Sequence, residues 1–424
     1  MKTLVDLHTH LTYAQKQDEK DPLREFRNEF FIPRHSDGAD TIYFCGNSLG
    51  LQPKNVSSYI QQELDDWAEL GVEGHTHATH PWLQYHELLT EPMAHIVGAK
   101  PIEVVVMNTL TTNLHLMMAS FYRPTSKRYK VLIEGDAFPS DKYAVESQIR
   151  HHGYDDKKGL ILWNSRAGEE LLRYEDLEAI LKSQGEEIAL IMIGGVNYYT
   201  GQFFDLKRIT DLGHTHGCMV GFDCAHGAGN VDLQLHNSGA DFAIWCTYKY
   251  LNSGPGSLSG VFVHERHAYN KQLNRFTGWW SHNKETRFKM RDEFELMPGA
   301  EGWQLSNPPI LSMAAIRASL ELFSEAGMKN LIDKSQKLTG YLEFLIRELN
   351  NDSIKIITPS NPAERGCQLS IQVKNADRDL HRRLTEMGVI SDWREPDVIR
   401  CAPVPLYNSF QDVFNMVERL KIIL

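Results

Sequence analysis

The sequence predicts an α/β protein: a mostly parallel central sheet flanked by helices, with a smaller α+β C-terminal domain. Three observations point there. Short runs at 103–107, 130–134, 188–193, 219–223, 241–246 and 260–264 are rich in Val and Ile and lack strict alternation. Strands buried on both faces read this way, as in a parallel sheet covered on both sides. Helix-like stretches separate these runs, the order that wraps helices around such a sheet. The texture then changes after Pro308 and Pro309, where a long helical segment leads into a second group of strand-like runs.

Taken in order, residues 1–35 are polar, charged and aromatic in patches, and read as helix and arm. Residues 54–70 place Val56, Tyr59, Ile60, Leu64, Trp67 and Leu70 at helical spacing, and Gly71 supplies a stop. The six β-rich runs follow. Beyond them, a helix is predicted from Ile310 to about Ala326, then strands at 354–357, 367–373 and 398–402, and a closing amphipathic helix in SFQDVFNMVERLKIIL. At 424 residues the chain exceeds what one simple core usually serves. We divide it into an N-terminal arm with helices that pack with the small domain (1–70), a large domain (71–310) and a small C-terminal domain (311–424).

Lys and Arg number 44 against 55 Asp and Glu, a formal charge of −11, and no basic block interrupts this balance. Nucleic acid and anionic membrane surfaces need clustered Lys and Arg, so neither is an expected partner. No apolar run approaches the ~18 residues of a membrane span, and the first residues lack the apolar core of a signal peptide. The six cysteines form no CxxC pair and mostly sit in apolar runs, as reduced thiols of a cytoplasmic protein do.

The run DFAIWCTYKYLNSGPGSLSGVFVH carries the first chemistry. A β-rich segment ends at Thr247, Tyr248 and Lys249, and a glycine-punctuated turn leads into another strand. A lone loop lysine is ordinarily solvated. Asp223 changes that reading, because it closes an apolar strand where a carboxylate is costly without a partner. In a parallel sheet the C-terminal strand ends gather on one edge, where ligands bind. An aspartate and a lysine on that edge can face one site. Pyridoxal phosphate needs this pair: a lysine for its aldehyde and a carboxylate to keep its ring nitrogen protonated. The spacing, with Ala225 and His226 after the aspartate, resembles the aminotransferase-like superfamily of pyridoxal-phosphate enzymes (fold type I).

Longer runs narrow the resemblance. YFCGNSLGLQPK (43–54), MNTLTTNLHLMMASF (107–121), FPSD (138–141), YYTGQ (198–202), FDCAHGAGN (222–230), TYKYLNSGPG (247–256), RFKM (287–290), SNPPI (306–310) and APVPLYNSF (402–410) resemble the kynureninase family. The resemblance implies a pyridoxal-phosphate enzyme that hydrolyses the Cβ–Cγ bond of L-kynurenine or 3-hydroxykynurenine. The products are then anthranilate or 3-hydroxyanthranilate, and L-alanine. It implies Lys249 as the cofactor lysine, Asp223 against the ring nitrogen, His226 close to the cofactor, and Phe138 stacked on the ring. Asp141 becomes a cofactor-contacting carboxylate. Leu110 and Thr111, where a strand passes into a helix beginning near Thr112, become phosphate contacts. Tyr248 reaches the phosphate and relays protons.

Arg400 matches an arginine that grips the substrate carboxylate, and His75 a residue lining the aryl pocket. Trp279 and Asn307 match cofactor-side residues supplied by a second subunit, with Asn307 also near the aryl pocket, so the resemblance implies a homodimer with shared active sites. It leaves open whether the role is tryptophan breakdown or supply of nicotinamide precursor. One departure stands out. Relatives often carry a hydroxyl residue shortly before YYTG, where this chain has Gly194.

Three other readings share the sequence, the remotest being a non-enzymatic pyridoxal-binding regulator or scaffold, for which no DNA-binding segment or basic patch is visible. A cysteine desulfurase or class V aminotransferase has the same fold, but no cysteine here lies on an obvious exposed catalytic loop. A metal-dependent amidohydrolase is suggested by DLHTH, with His8 and His10 at HxH spacing, and by His75, His77 and His80. An HxH pair should follow an apolar strand, and only Leu4 and Val5 precede this one, so no metal is expected.

Overall fold

The computed structural model describes residues 4–424, with side chains from Thr9 onward. Its strands, in chain order, are β1 (Ile42–Tyr43), β2 (Val104–Met107), β3 (Lys130–Glu134), β4 (Leu160–Trp163), β5 (Ile188–Gly194), β6 (Met219–Asp223), β7 (Phe242–Cys246), β8 (Ser259–Val263), β9 (Ile354–Ile356), β10 (Leu369–Val373), β11 (Val389–Ile390), β12 (Asp392–Arg394) and β13 (Val398–Cys401). Seven form one sheet in the order β2-β8-β7-β6-β5-β3-β4. Neighbours are parallel from β4 to β7, and β8 runs antiparallel to both β7 and β2.

The near-continuous apolar runs follow from burial on both faces. On β7, Ala243 and Trp245 enter one core while Phe242 and Ile244 enter another, the two-residue period of a strand. Trp245 pairs across the ladder with Gly260, and a Cβ on that glycine would stand 2.1 Å from the indole. The sequence reading missed β4. Its residues LILW are only partly buried except Trp163, because β4 forms the sheet edge and its apolar run is short.

Helices Pro139–His151, Tyr174–Gln184 and Leu206–Thr215 connect the parallel strands. The helix predicted over 54–70 spans Val56–Leu70, and Ile310–Ala326 packs against it and against Glu87–Val97. A four-stranded antiparallel sheet, β12-β13-β10-β9, lies in the C-terminal part. Its core draws Ala14 from the first helix and Phe44 from the segment after β1, together with Leu338, Leu342, Ile371, Ile399 and Val417. The last helix, Phe410–Ile423, starts at a capping box in which Ser409 and Asp412 satisfy one another's amides. Among the described residues, no helix is long and apolar enough to cross a membrane.

Candidate active site

The carboxyl edge of the parallel strands collects polar residues at successive strand ends. β3 ends in Glu134, β5 in Gly194 and β6 in Asp223, while β7 runs out at Cys246 into the turn carrying Tyr248 and Lys249. Leu110, Thr111, Phe138, Asp141, Asp223, His226, Tyr248 and Lys249 line one cavity there. Eight side chains singled out in the sequence thus meet in one place.

Two helices begin at this cavity. Leu110–Phe121 starts two residues earlier than predicted, because Thr109 takes the extended N-cap conformation directly after Asn108 turns through φ 47°. Leu110 and Thr111 therefore both fall in the first turn, whose N–H groups have no intrahelical partner and suit an anion. Thr111 Oγ1 lies 3.0 Å from Ser140 Oγ, in the first turn of the helix Pro139–His151. The Phe138 ring is exposed towards the cavity, with Lys249 Nζ 5.8 Å from its centre.

Lys249 Nζ stands 3.0 Å from His226 Nε2. Burial, then the charges of Lys249, Arg400 and Arg394, push the proton affinity of His226 well down, so its ring is neutral. The carboxyls move the other way. Burial raises Asp223, against the opposing charge of Lys249 and an Ala225 N–H donated at 2.7 Å. Burial and the neighbouring Asp223 hold Asp141 well above the carboxylate range. Burial pushes Glu134 up to about 8, although Gly194 N–H donates to it at 2.7 Å and Asn197 Nδ2 at 3.3 Å. Three carboxyl groups, all pushed up by burial, share one lysine here, so a nearby cation would favour their ionised forms, and the buried Oδ1 of Asp141 has no hydrogen-bond partner. A protonated ring nitrogen would supply that cation, so the donor set fits pyridoxal phosphate.

The lysine turn is backed by a segment from the N-terminal part. Gly50 N–H donates to Tyr248 O at 2.8 Å, and a Cβ at Gly50 would lie 2.3 Å from Lys249 O. Only glycine allows that approach. At Gly194 a Cβ would meet Glu134 Oε1 at 2.9 Å, so the missing hydroxyl side chain leaves room for that carboxyl.

Arg400 lies behind the cavity wall on β13, with 1% of its surface exposed. Its Nη1 donates to Tyr198 O at 2.7 Å and its Nη2 to Asp392. Tyr198 lines the cavity, edge-on to Phe138 at 5.3 Å. The backbone around Tyr198 is clasped from the small sheet and its approach. Gln368 Nε2 donates to Tyr198 O at 3.1 Å, Ser370 Oγ to Tyr199 O at 2.5 Å, and Thr358 Oγ1 to Thr200 O at 2.6 Å.

His75, Trp279 and Asn307 do not border this cavity. His75 sits edge-on to Trp82 at 5.5 Å with a buried, unpartnered Nδ1. Trp279 is 43% exposed beside Trp280 and Phe288, and Asn307 is exposed. Sequence reasoning gave no role to Glu134 and Tyr198. Glu134 carries the signal used for Asp223, a carboxylate closing an apolar strand, and Tyr198 lies inside a quoted motif.

The HxH pair lies on the helix Leu4–Lys20, where residues two apart point roughly 200° from one another. The side chain of His8 lies outside the described residues, and His10 packs on Phe344 at 5.5 Å. Among the described residues, the three-residue groups able to hold a metal are Glu103, His236 and His264, and His86, Glu87 and Glu301. Neither includes His10, His75, His77 or His80.

The fold is that of the aminotransferase-like enzymes with a lysine at the sheet's carboxyl edge. A C-DES variant with glycine covalently linked to its PLP cofactor superposes with a TM-score of 0.76 at 18% identity, covering 93% of this chain and 98% of that one. The cysteine desulfurase CsdA of Escherichia coli gives 0.75 at 16% identity, covering 95% and 98%. Sequence comparison is narrower. Residues 331–420 match the family described as Kynureninase C-terminal domain. The kynureninase of Myxococcus xanthus is 58% identical over 97% of this chain and 96% of its own length. That of Nematostella vectensis is 49% identical over 96% and 93%. The chain belongs to the kynureninase family.

Proposed function

We propose that the chain uses pyridoxal phosphate to hydrolyse the Cβ–Cγ bond of L-kynurenine or 3-hydroxykynurenine, releasing anthranilate or its 3-hydroxy form and L-alanine. The observation that carries this reading is Lys249 Nζ facing Phe138, beside His226 and Asp223, in a cavity at the sheet's carboxyl edge. Lys249 would hold the cofactor aldehyde, Asp223 its ring nitrogen and Phe138 the ring face. His226 and Asp141 flank it, and the first turn at Leu110 and Thr111, with Tyr248, takes the phosphate. When bound, the cofactor supplies an electron sink for the substrate carbon next to the amine.

The chain's own groups do the rest. Lys249 Nζ takes and returns the substrate's Cα proton. Tyr248 Oη, kept protonated because burial raises its pKa, donates towards the γ-carbonyl oxygen. Water adds at that carbon, and the Cβ–Cγ bond breaks with its electron pair left on Cβ. The water oxygen leaves in the aryl carboxylate, and a proton from that water passes to Cβ, which becomes the methyl group of alanine. Arg400 orients the substrate by its α-carboxylate. His75 and Asn307, which do not border the lysine cavity within one chain, are assigned to the aryl pocket on the family resemblance alone. Residues 71–310 act as the cofactor-holding domain, and residues 311–424 with 1–70 bring Arg400 to it.

A homodimer with shared sites belongs to the same reading, Trp279 and Asn307 reaching the second subunit's cofactor. In its favour, Tyr269, Phe276, Trp279, Phe288, Met290 and Phe294 are all exposed within one short stretch, an apolar surface that suits an interface. We place the enzyme in the cytoplasm. The desulfurase alternative is disfavoured because five of the six free cysteines are buried and Cys45 is partly so, where a persulfide-forming thiol must reach solvent.

Anthranilate fluorescence tests the reading directly. Purified chain with pyridoxal phosphate should release an aromatic amine from kynurenine or 3-hydroxykynurenine, and kcat/KM for the two sets the preference. Lys249→Ala should lose both turnover and the visible absorbance of bound cofactor. Absence of product from either substrate would overturn the assignment.

A further inference from the structure

Strands β12 and β13 pair antiparallel with Asp392 opposite Arg400. Arg394, two residues along β12, projects from the same face as Asp392. The Oδ2 atom of Asp392 accepts from Arg400 Nη2 and, at 3.1 Å, from Arg394 Nη2. One carboxylate oxygen thus serves two guanidinium groups, and the trio carries an uncompensated positive charge. Both arginines also have an Nε–H that is buried without a hydrogen-bond partner. Unpaired buried donors are costly, and two guanidinium groups tied to one carboxylate share the same deficit here.

The pair stands behind the Tyr198 side of the proposed reaction centre. The guanidinium carbons of Arg394 and Arg400 lie 5.8 and 5.9 Å from the centre of the Tyr198 ring, which lines the lysine cavity. Both charges reach His226, 3.0 Å from Lys249 Nζ. The two differ in access: 35% of the Arg394 side chain is exposed, against 1% of Arg400. Arg394 is thus the more accessible of the two.

Building on the kynureninase reading, we propose that Arg394 is a second carboxylate-binding residue, acting with Arg400 on the α-carboxylate of the amino-acid substrate. The charge count closes on that ligand. Two guanidinium groups, Asp392 and one substrate carboxylate sum to zero, and two carboxylate oxygens offer acceptor sites enough for an N–H from each arginine. Arg394 then serves as a specificity residue, admitting α-amino acids over amines of the same aryl ketone.

The test compares the holoenzyme with its Arg394→Gln and Arg394→Lys variants, using two competitive inhibitors. One is the amine-free keto acid corresponding to the substrate, and the other is the primary amide of that acid. Arg394→Gln should weaken the acid about tenfold and the amide less than about twofold. KM for kynurenine should rise with the acid's Ki while kcat changes far less, and Arg394→Lys should recover part of the loss. An unchanged visible spectrum of the cofactor shows that the cavity has kept its shape. Equal weakening of acid and amide, or an unchanged acid, would overturn the proposal. Lack of turnover in the wild-type chain would instead sink the kynureninase reading, leaving the dissociation constants of acid and amide, titrated on the holoenzyme by calorimetry, to decide the role of Arg394.

Discussion

Lys249 and His226 meet nitrogen to nitrogen at 3.0 Å, at the ends of two adjacent parallel strands, β6 and β7. The contact joins a primary amine to an imidazole that burial and three nearby cations keep neutral. A neutral ring can accept from the amine, which a charged one could not. Nitrogen NMR of histidine-labelled, cofactor-free protein should show His226 unprotonated from about pH 8 to about pH 6, where an ordinary histidine titrates. A protonation step for this ring inside that window would contradict the electrostatic picture of the site.

Glu134 should make its own mark on stability. Its folded-state pKa, near 8, lies above the value in an unfolded chain, so the native state holds the extra proton in between. Stability then falls as pH rises from the unfolded pKa through about 8. Glu134→Gln cannot ionise, so it should gain on the wild type between about pH 5 and about pH 8, whatever its offset at the lower end. Urea midpoints across that range decide it, and parallel curves would refute the buried protonated carboxyl.

The opposite sign applies at Asp241. Burial would raise this carboxyl, but hydrogen bonds from His214 and His267, with the charge and donation of Arg266, take it far below the usual range. Its contribution is therefore present above the unfolded pKa of about 3.9 and lost as pH falls towards the folded value. Asp241 also takes Val220 N–H at 2.8 Å, tying β6 to the start of β7. Asp241→Asn should cost about 3 kcal/mol at neutral pH and flatten the acid limb of the stability curve. Thermal unfolding followed by circular dichroism at several pH values measures both effects.

Gly50 predicts a defect away from the reacting groups. An added Cβ would lie 2.3 Å from both Lys249 O and Asn252 Oδ1, so Gly50→Ala must displace the lysine turn. Cofactor titration followed by absorbance should show about tenfold weaker binding, a cost of about 1.4 kcal/mol for displacing the lysine turn. Secondary structure should remain intact by circular dichroism.

Much of this was legible in the sequence because burial on two faces writes itself into composition. The strands β3, β5, β6 and β7 announced themselves as apolar runs, and Asp223 and Lys249 stood out as charges at their ends. β4 escaped because an edge strand of four residues, half covered, resembles any short apolar patch. The partnership of Arg400 with Tyr198 escaped for another reason. It joins residues 202 positions apart through a backbone carbonyl, which no side-chain pattern encodes. Arg394 was overlooked because its meaning lies in the carboxylate it shares with Arg400, visible only once β12 and β13 are paired.

Three consecutive carbonyls, those of Tyr198, Tyr199 and Thr200, are held by side chains from the C-terminal part of the chain. Asn197, one residue before them, is moored to Glu134 on the large sheet. The segment thus ties the two sheets together: any displacement of the small sheet relative to the large one would have to break these bonds or carry the Tyr198 backbone with it.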